Sequence, residues 1–336
     1  KVFNFEWVND FGAARNFSLK QCTGNWVLYI DADERLDAGS IKEIERIKKN
    51  LDKVGFFCTV KSLDGEGNRD NSMRYVRLFR NVEGAEFRGS VHEQISGSLQ
   101  ESGVKLVNSS ILINHLGYNL NNEGRKEKAA RNLSLLEKEW SKEKSGYLAF
   151  QLANTHFILE NDEESKKYFE IAANSNDLSK NLRALSYSYL ALMEHKAVNP
   201  DKSIIYIEKS LSLNSETPFS NFLCSKIHFQ RGDLVNSEDF CKRALLFSRK
   251  QAAVKTDDMQ IYMSEEEIIG FGLYISIQNK NGNLGYFLSE YQKITSSKVG
   301  GTRDSIVTVV TKLLSGKGIN IQEGKLLAGL INEYNS

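Results

Sequence analysis

The sequence predicts an α/β sheet domain followed by an all-α repeat array, and three observations carry that prediction. Runs with the marks of strands, either alternating or continuously apolar, fall in roughly the first 120 residues. Nearly every apolar pattern after about residue 145 has helical spacing instead. Three of those helical segments share the same residue types at the same offsets.

In chain order, Gly12 to Gln21 reads as a helix. Trp26-Val27-Leu28-Tyr29-Ile30 is a short run of β-formers that fits a strand buried on both faces, and it runs directly into Asp31-Ala32-Asp33-Glu34. Ser40 to Asn50 predicts an amphipathic helix with Ser40 as N-cap, Glu43 three residues on, and Ile41, Ile44 and Ile47 at helical spacing. Period-two patterns at Val54 to Val60, Arg74 to Phe79 and Val104 to Ile113 supply further strands of one sheet. The division into domains is expected at residues 1–135 and 136–336.

The repeat emerges when segments starting at Ser165, Ser203 and Ser237 are superposed. Each has an aromatic three residues on (Tyr168, Tyr206, Phe240) and a small residue seven on (Ala172, Ser210, Ala244). His156-Phe157 precedes Ser165 by the same distance as His228-Phe229 precedes Ser237. Small residues at fixed helical positions let two helices approach and aromatics fill the space beside them, so the pattern is packing chemistry. The starts lie 38 and 34 residues apart, close to the tetratricopeptide (TPR) period of about 34. The alternative is an unrepeated helical bundle. Helices at Glu265 to Gln278, Leu284 to Thr295 and Ser305 to Leu314 continue or cap the array.

Composition narrows the function classes. With 44 basic and 43 acidic residues the net charge is +1, so no global field draws the chain onto nucleic acid or an anionic membrane. Cys22, Cys58, Cys224 and Cys241 lack the paired spacing of a zinc or redox motif and read as core or half-buried residues of a reducing compartment. No run approaches a membrane span and no signal segment opens the chain, so a cytoplasmic protein, peripheral at the membrane at most, is the expectation. The chain opens at Lys1 directly in a dense aromatic segment, Val2 to Trp7, which predicts a fragment of a longer protein.

Asp31 and Asp33 lie just past a predicted strand end, where ligands of open α/β sheets collect. Two carboxylates there can hold a hard divalent cation, which in turn neutralises a diphosphate. The alternative is that they cap the following helix.

The run Phe5-Glu6-Trp7-Val8-Asn9-Asp10-Phe11-Gly12-Ala13-Ala14-Arg15-Asn16, followed by Gly24 to Glu34, resembles the middle of the GT-A domain of family 2 glycosyltransferases. The resemblance is to the bacterial subgroup in which tetratricopeptide repeats follow that domain. It continues through Arg77-Leu78-Phe79-Arg80-Asn81, Gly89-Ser90-Val91-His92-Glu93-Gln94 and His115-Leu116-Gly117-Tyr118, spanning roughly residues 1 to 135. The fold it implies is a partial GT-A, Rossmann-like sheet domain plus a TPR-like array, without the opening strand, helix, strand unit that reads the base. The implied activity is transfer of a sugar from a nucleotide-sugar donor, a UDP-sugar, to a glycan, lipid-linked or peptide acceptor, with Mn²⁺ or Mg²⁺.

Carried over residue by residue, the resemblance places Arg15 against the donor nucleotide, Asp31 near the ribose or a metal-bound water, and Asp33 on the metal. It implies that His115 completes the metal shell, that Glu93 is the catalytic base of an inverting transfer, and that His92 orients the acceptor. Lys126 and Arg131 would clamp the diphosphate. Each has a plainer alternative: a solvated helix face for Arg15, Lys126 and Arg131, a satisfied histidine for His115, a helix cap for Glu93. Arg77 and Arg80 meet acceptor or donor phosphates, or form the polar face of an alternating strand. The rival to an enzyme is a peptide-binding adaptor whose repeats bind a protein partner or a second copy while the transferase part is inactive.

Overall fold

The computed structural model describes residues 1–49, 52–62, 71–91, 93–116, 122–253, 261, 263–279 and 282–295. His92, Gly117, Tyr118 and the helix expected at Ser305 to Leu314 lie outside them. The chain packs as two compact units, one running from Lys1 to Leu190 and one beginning at Ala191.

The first unit opens with helix α1 (Phe11–Lys20), whose N-cap Asp10 accepts the Ala13 N–H at 2.8 Å. Strand β1 (Trp26–Leu28) and strand β2 (Glu34–Leu36) flank the acidic turn. Helix α2 (Ser40–Ile47), strand β3 (Val54–Ser62), strand β4 (Asn71–Arg80), helix α3 (Ser96–Glu101) and strand β5 (Lys105–His115) follow. The five strands form one sheet in the order β1-β4-β3-β5-β2, antiparallel except for the parallel pair β3 and β5. One face buries Val54, Phe56, Cys58, Val60, Leu78 and Ile113 under Ile47 of α2. The other buries Val27, Val76, Phe79 and Val104 beneath Ile95 and Leu99 at α3.

Two expectations are adjusted here. Trp26 to Ile30 is an edge strand of three residues, paired with β4 alone among the described residues. Ser40 is the first residue of α2 and not its cap: Gly39 holds that place, while the buried Ser40 hydroxyl accepts the Leu112 N–H at 2.8 Å and ties the helix to β5.

β1 and β2 are opposite edges of the sheet, yet only residues 29–33 join them. Four strand spacings of about 4.8 Å need about 19 Å, the full reach of about six extended residues. The link is shorter than that, because the Glu34 N–H turns back onto the Asp31 carbonyl at 3.0 Å. The sheet therefore curls, drawing its edges toward the acidic turn.

The helices are α4 (Asn122–Lys142), α5 (Gly146–Ile158), α6 (Asp162–Asn174) and α7 (Lys180–Lys196), which passes from one unit into the other, then α8 (Pro200–Leu213), α9 (Pro218–Gln230), α10 (Leu234–Ala253), α11 (Glu265–Gln278) and α12 (Leu284–Thr295). Both prolines of the chain stand in the first turn of a helix, where the missing N–H is no loss. α4 and α5 bury Leu135, Leu136, Leu148 and Leu152 with Val91 and Phe11 of the sheet domain. No described helix is long and apolar enough to cross a membrane.

The repeat is present in atomic detail. Ser165, Ser203 and Ser237 are buried, and each hydroxyl donates to a carbonyl twelve residues earlier: Ala153 at 3.0 Å, Ala191 at 2.7 Å and Ser225 at 2.8 Å. His156 stacks on Tyr168 and His228 on Phe240, again twelve apart. Ala172, Ser210 and Ala244 are fully buried. Each helix pair is joined by a left-handed residue, Glu160, Val198 or Gly232. The next N–H bonds the carbonyl five residues back, His156, Glu194 or His228, at 2.9 Å in all three.

Cys58, Cys224 and Cys241 are buried as expected, whereas Cys22 is exposed; all four are free thiols.

Candidate functional site at the acidic turn

The backbone places the site. β2 pairs antiparallel with β5 so that Glu34 faces His115, and the Leu116 N–H donates to the Asp33 carbonyl at 2.8 Å. The last residue of β5 is thereby set beside the acidic turn, and His115 Nε2 lies 2.9 Å from Asp33 Oδ2. The Asp33 side chain is 53% exposed.

On the other side of the turn, Arg15 of α1 reaches two carboxylates. Its Nη1 and Nη2 meet Asp31 Oδ1 at 2.8 Å and Oδ2 at 3.1 Å, and its Nε donates to Glu93. A planar fork spanning two carboxylates is geometry that arginine offers and lysine does not. Arg77 of β4 donates to Glu34 Oε1 at 2.8 Å and lies 3.6 Å from Asp31 Oδ2. The Tyr29 ring carries both guanidiniums, with centroid distances of 5.0 Å to Arg15 and 4.5 Å to Arg77.

Four carboxylates (Asp31, Asp33, Glu34, Glu93) against two guanidiniums leave two net negative charges when His115 is neutral. Burial alone would raise the Asp31 carboxyl, but the Arg15 hydrogen bonds and charge, and then the Arg77 charge, outweigh it and hold the group below the ordinary carboxylate range. Burial pushes the Tyr29 phenol up to about 12 against the opposing pull of Arg77 and Arg15, so the ring stays neutral. Arg15 is raised by its two carboxylate partners although burial acts the other way.

The structure thus brings Arg15, Asp31, Asp33, Glu93 and His115 to one turn. It places Lys126 in an ion pair with Glu160 at 2.8 Å and Arg131 over the Phe11 ring at 5.7 Å. Arg80 lies over Trp26 at 5.4 Å. Glu34, Arg77 and Tyr29 complete the cluster without having been singled out as a group by the sequence, although Glu34 adjoins the acidic pair. A separate cleft of about 380 Å³ opens beside α1, lined by Asp10, Asn16, Ser90, Lys138, Glu139 and Lys142 among others. None of the ionised groups of the acidic turn lines it.

Among the described residues no three His, Cys, Asp or Glu side chains converge as a metal cage. Asp33 Oδ2 and His115 Nε2 nevertheless stand 2.9 Å apart, about the edge of an octahedron with bonds near 2.1 Å. In the structure these two atoms hydrogen-bond each other, and their spacing is also compatible with two neighbouring positions around a small divalent ion.

A curled mixed sheet that gathers opposed charges around a turn between its strands defines an α/β domain with a charged cluster at that turn. Comparison with known proteins finds a family match: the description "Glycosyl transferase family 2" matches residues 1–113, so this part of the chain is similar to that family's domain, and a TPR-like helical region follows it. The SPbeta prophage-derived glycosyltransferase SunS of Bacillus subtilis (strain 168) is 28% identical over 172 residues, 51% of this chain and 40% of that protein. A TPR repeat-containing protein of Synechococcus elongatus is 32% identical over 99 residues, 30% of this chain and 24% of its own length. The chain spans less than half the length of either relative. Among solved structures, the apo form of RapI has a TM-score of 0.47 at 10% identity, covering 64% of this chain and 65% of that one.

Proposed function

We propose that the chain carries the site of a glycosyltransferase that moves a sugar from a nucleotide-sugar donor, a UDP-sugar, to a glycan, lipid-linked or peptide acceptor, with inversion and with Mn²⁺ or Mg²⁺. The observation that carries the reading is the juxtaposition of the Asp33–His115 pair with Arg15, which spans Asp31 and Glu93. Asp33 and His115 would hold the cation, with donor oxygens or water filling its remaining positions. When bound, the cation supplies the Lewis-acid charge that steadies the departing nucleoside diphosphate. The two net negative charges of the cluster match a divalent ion.

Arg15 is committed to Asp31 and Glu93. A donor phosphate offers the same fork another oxyanion, and a shift of Arg15 toward it releases Glu93 to take the proton of the acceptor hydroxyl, thiol or amide. One base on one side of the anomeric carbon gives inversion. Asp31, kept ionised, faces the ribose or a metal-bound water. The TPR-like region holds a protein acceptor or partner.

Calorimetry of the chain with Mn²⁺ and a panel of nucleotide sugars tests this. Mn²⁺-dependent binding that Asp33→Ala abolishes is the expected result. Binding indifferent to Mn²⁺, or unchanged in Asp33→Ala, sinks the reading. No metal-dependent donor hydrolysis by the full-length protein, with peptide binding by the repeats intact, favours the adaptor.

A further inference from the structure

Arg77 occupies its position because of a fault in the sheet. Along β3 and β4 the register runs Phe56 to Leu78 and then Phe57 to Val76, so Arg77 is the extra residue of a β-bulge. The side chains of β4 change face across it: Tyr75 and Leu78 lie on the α2 side and Val76 and Phe79 on the α3 side. A bulge re-aims one side chain at the expense of regular pairing, and here it sends a guanidinium to the acidic turn.

We propose that Glu34 and Arg77 are positioning residues that hold the Asp31–Asp33 turn in its cation-binding shape, an inference that rests on the metal-dependent reading above. Glu34 uses both carboxylate oxygens: Oε1 takes Arg77 Nη2 at 2.8 Å and Oε2 takes the Asp31 N–H at 2.9 Å. The same residue faces His115 in the β2–β5 register. The carboxylate thus ties the start of the turn to β4 through Arg77, while the backbone of the same residue pairs with the strand that bears the other proposed ligand. Arg77 is 7% and Glu34 2% exposed in their side chains. A buried ion pair adds little net stability relative to an apolar pair of the same volume. This one is also incompletely satisfied, because Arg77 Nε and Nη1 are buried without a hydrogen-bond partner. Such an arrangement is poorly explained as a stability device. Its geometry explains it as an aiming device: Arg77, packed on Tyr29, holds Glu34, and Glu34 holds the turn.

Mn²⁺ alone is the probe, with free Mn²⁺ followed by electron paramagnetic resonance. The double variant Glu34→Gln/Arg77→Met removes the ion pair and conserves net charge, one anion and one cation leaving together. Electrostatics alone therefore predicts little change in Mn²⁺ affinity. Lost positioning predicts a 10–100-fold weaker affinity, of the kind seen when groups behind metal ligands are removed. The melting midpoint from tryptophan fluorescence identifies how much of each variant is folded. If the double variant does not fold, Arg77→Lys, which keeps the charge but not the fork, is measured against the same tenfold threshold. A loss below tenfold in the folded variant, alongside abolished binding in Asp33→Ala, overturns the positioning role and leaves the metal site standing. Absence of Mn²⁺ binding by the unaltered chain overturns both.

Discussion

Arg15→Met tests the electrostatic core of the site without any ligand. The substitution keeps an unbranched stem of similar reach but leaves Glu93, 11% exposed, without its cation, and takes the hydrogen-bonding fork from Asp31, 37% exposed. Stripping one partner from a fully buried pair costs about 3–5 kcal/mol, whereas an exposed pair contributes about 0–1 kcal/mol. Glu93 lies near the first case. Asp31 lies nearer the second and keeps Arg77 at 3.6 Å. The expected loss is about 2–3 kcal/mol, which lowers Tm by about 4–12 °C in a unit of this size. Trp7, Trp26 and Trp140 all belong to the first unit, so tryptophan fluorescence follows its unfolding alone. The loss should depend on pH in a definite direction. The folded Asp31 carboxyl titrates below its unfolded value, so its contribution is complete above about pH 4 and fades as the pH falls through the folded value. The gap in Tm between the native chain and Arg15→Met is widest near neutrality and narrows in acid. An equal gap at about pH 3 and pH 7, or no gap at pH 7, would refute the assignment of Arg15 as the group that holds Asp31 ionised.

Two further substitutions test the helical region. Val198 is 73% exposed and takes a left-handed conformation at φ 55° where the following repeat has Gly232 at φ 77°. That conformation costs a side-chain-bearing residue about 1–2 kcal/mol, so Val198→Gly should stabilise the second unit by roughly 1 kcal/mol in a urea titration followed by circular dichroism, and a destabilised variant would mean the repeat turns are not equivalent. A Cβ on Gly272 of α11 would stand 2.2 Å from Cε1 of the buried Phe287 ring in α12. Gly272→Ala should cost about 1–3 kcal/mol in the same titration, since a close-packed ring has little room to yield; a neutral result would show that α11 and α12 are not in close contact.

What could be read in the sequence was whatever depended on neighbouring residues or on a fixed period. Asp31 and Asp33 are contiguous with a run of β-formers, so their place at a strand tip follows from the chain itself. The repeat offsets follow from the need to put small groups where helices touch, and the helices Glu265–Gln278 and Leu284–Thr295 have the predicted bounds. Arg77 could not be placed in the same way. Its role depends on a register slip between two strands, and a period-two reading of Arg74 to Phe79 assigns it to the wrong set of neighbours. Glu160 and Val198 likewise give no sign of a left-handed turn, because the helices on either side impose it on residues that do not favour it. Arg15 is the most instructive case. Its neighbours suggest a solvated helix position, but the curl of the sheet brings Asp31 and Glu93, 16 and 78 residues away, within reach of one guanidinium. Side chains that act through long-range closure are visible only once that closure is known, and in this domain the curl, the bulge and the β2–β5 register together decide which charges meet.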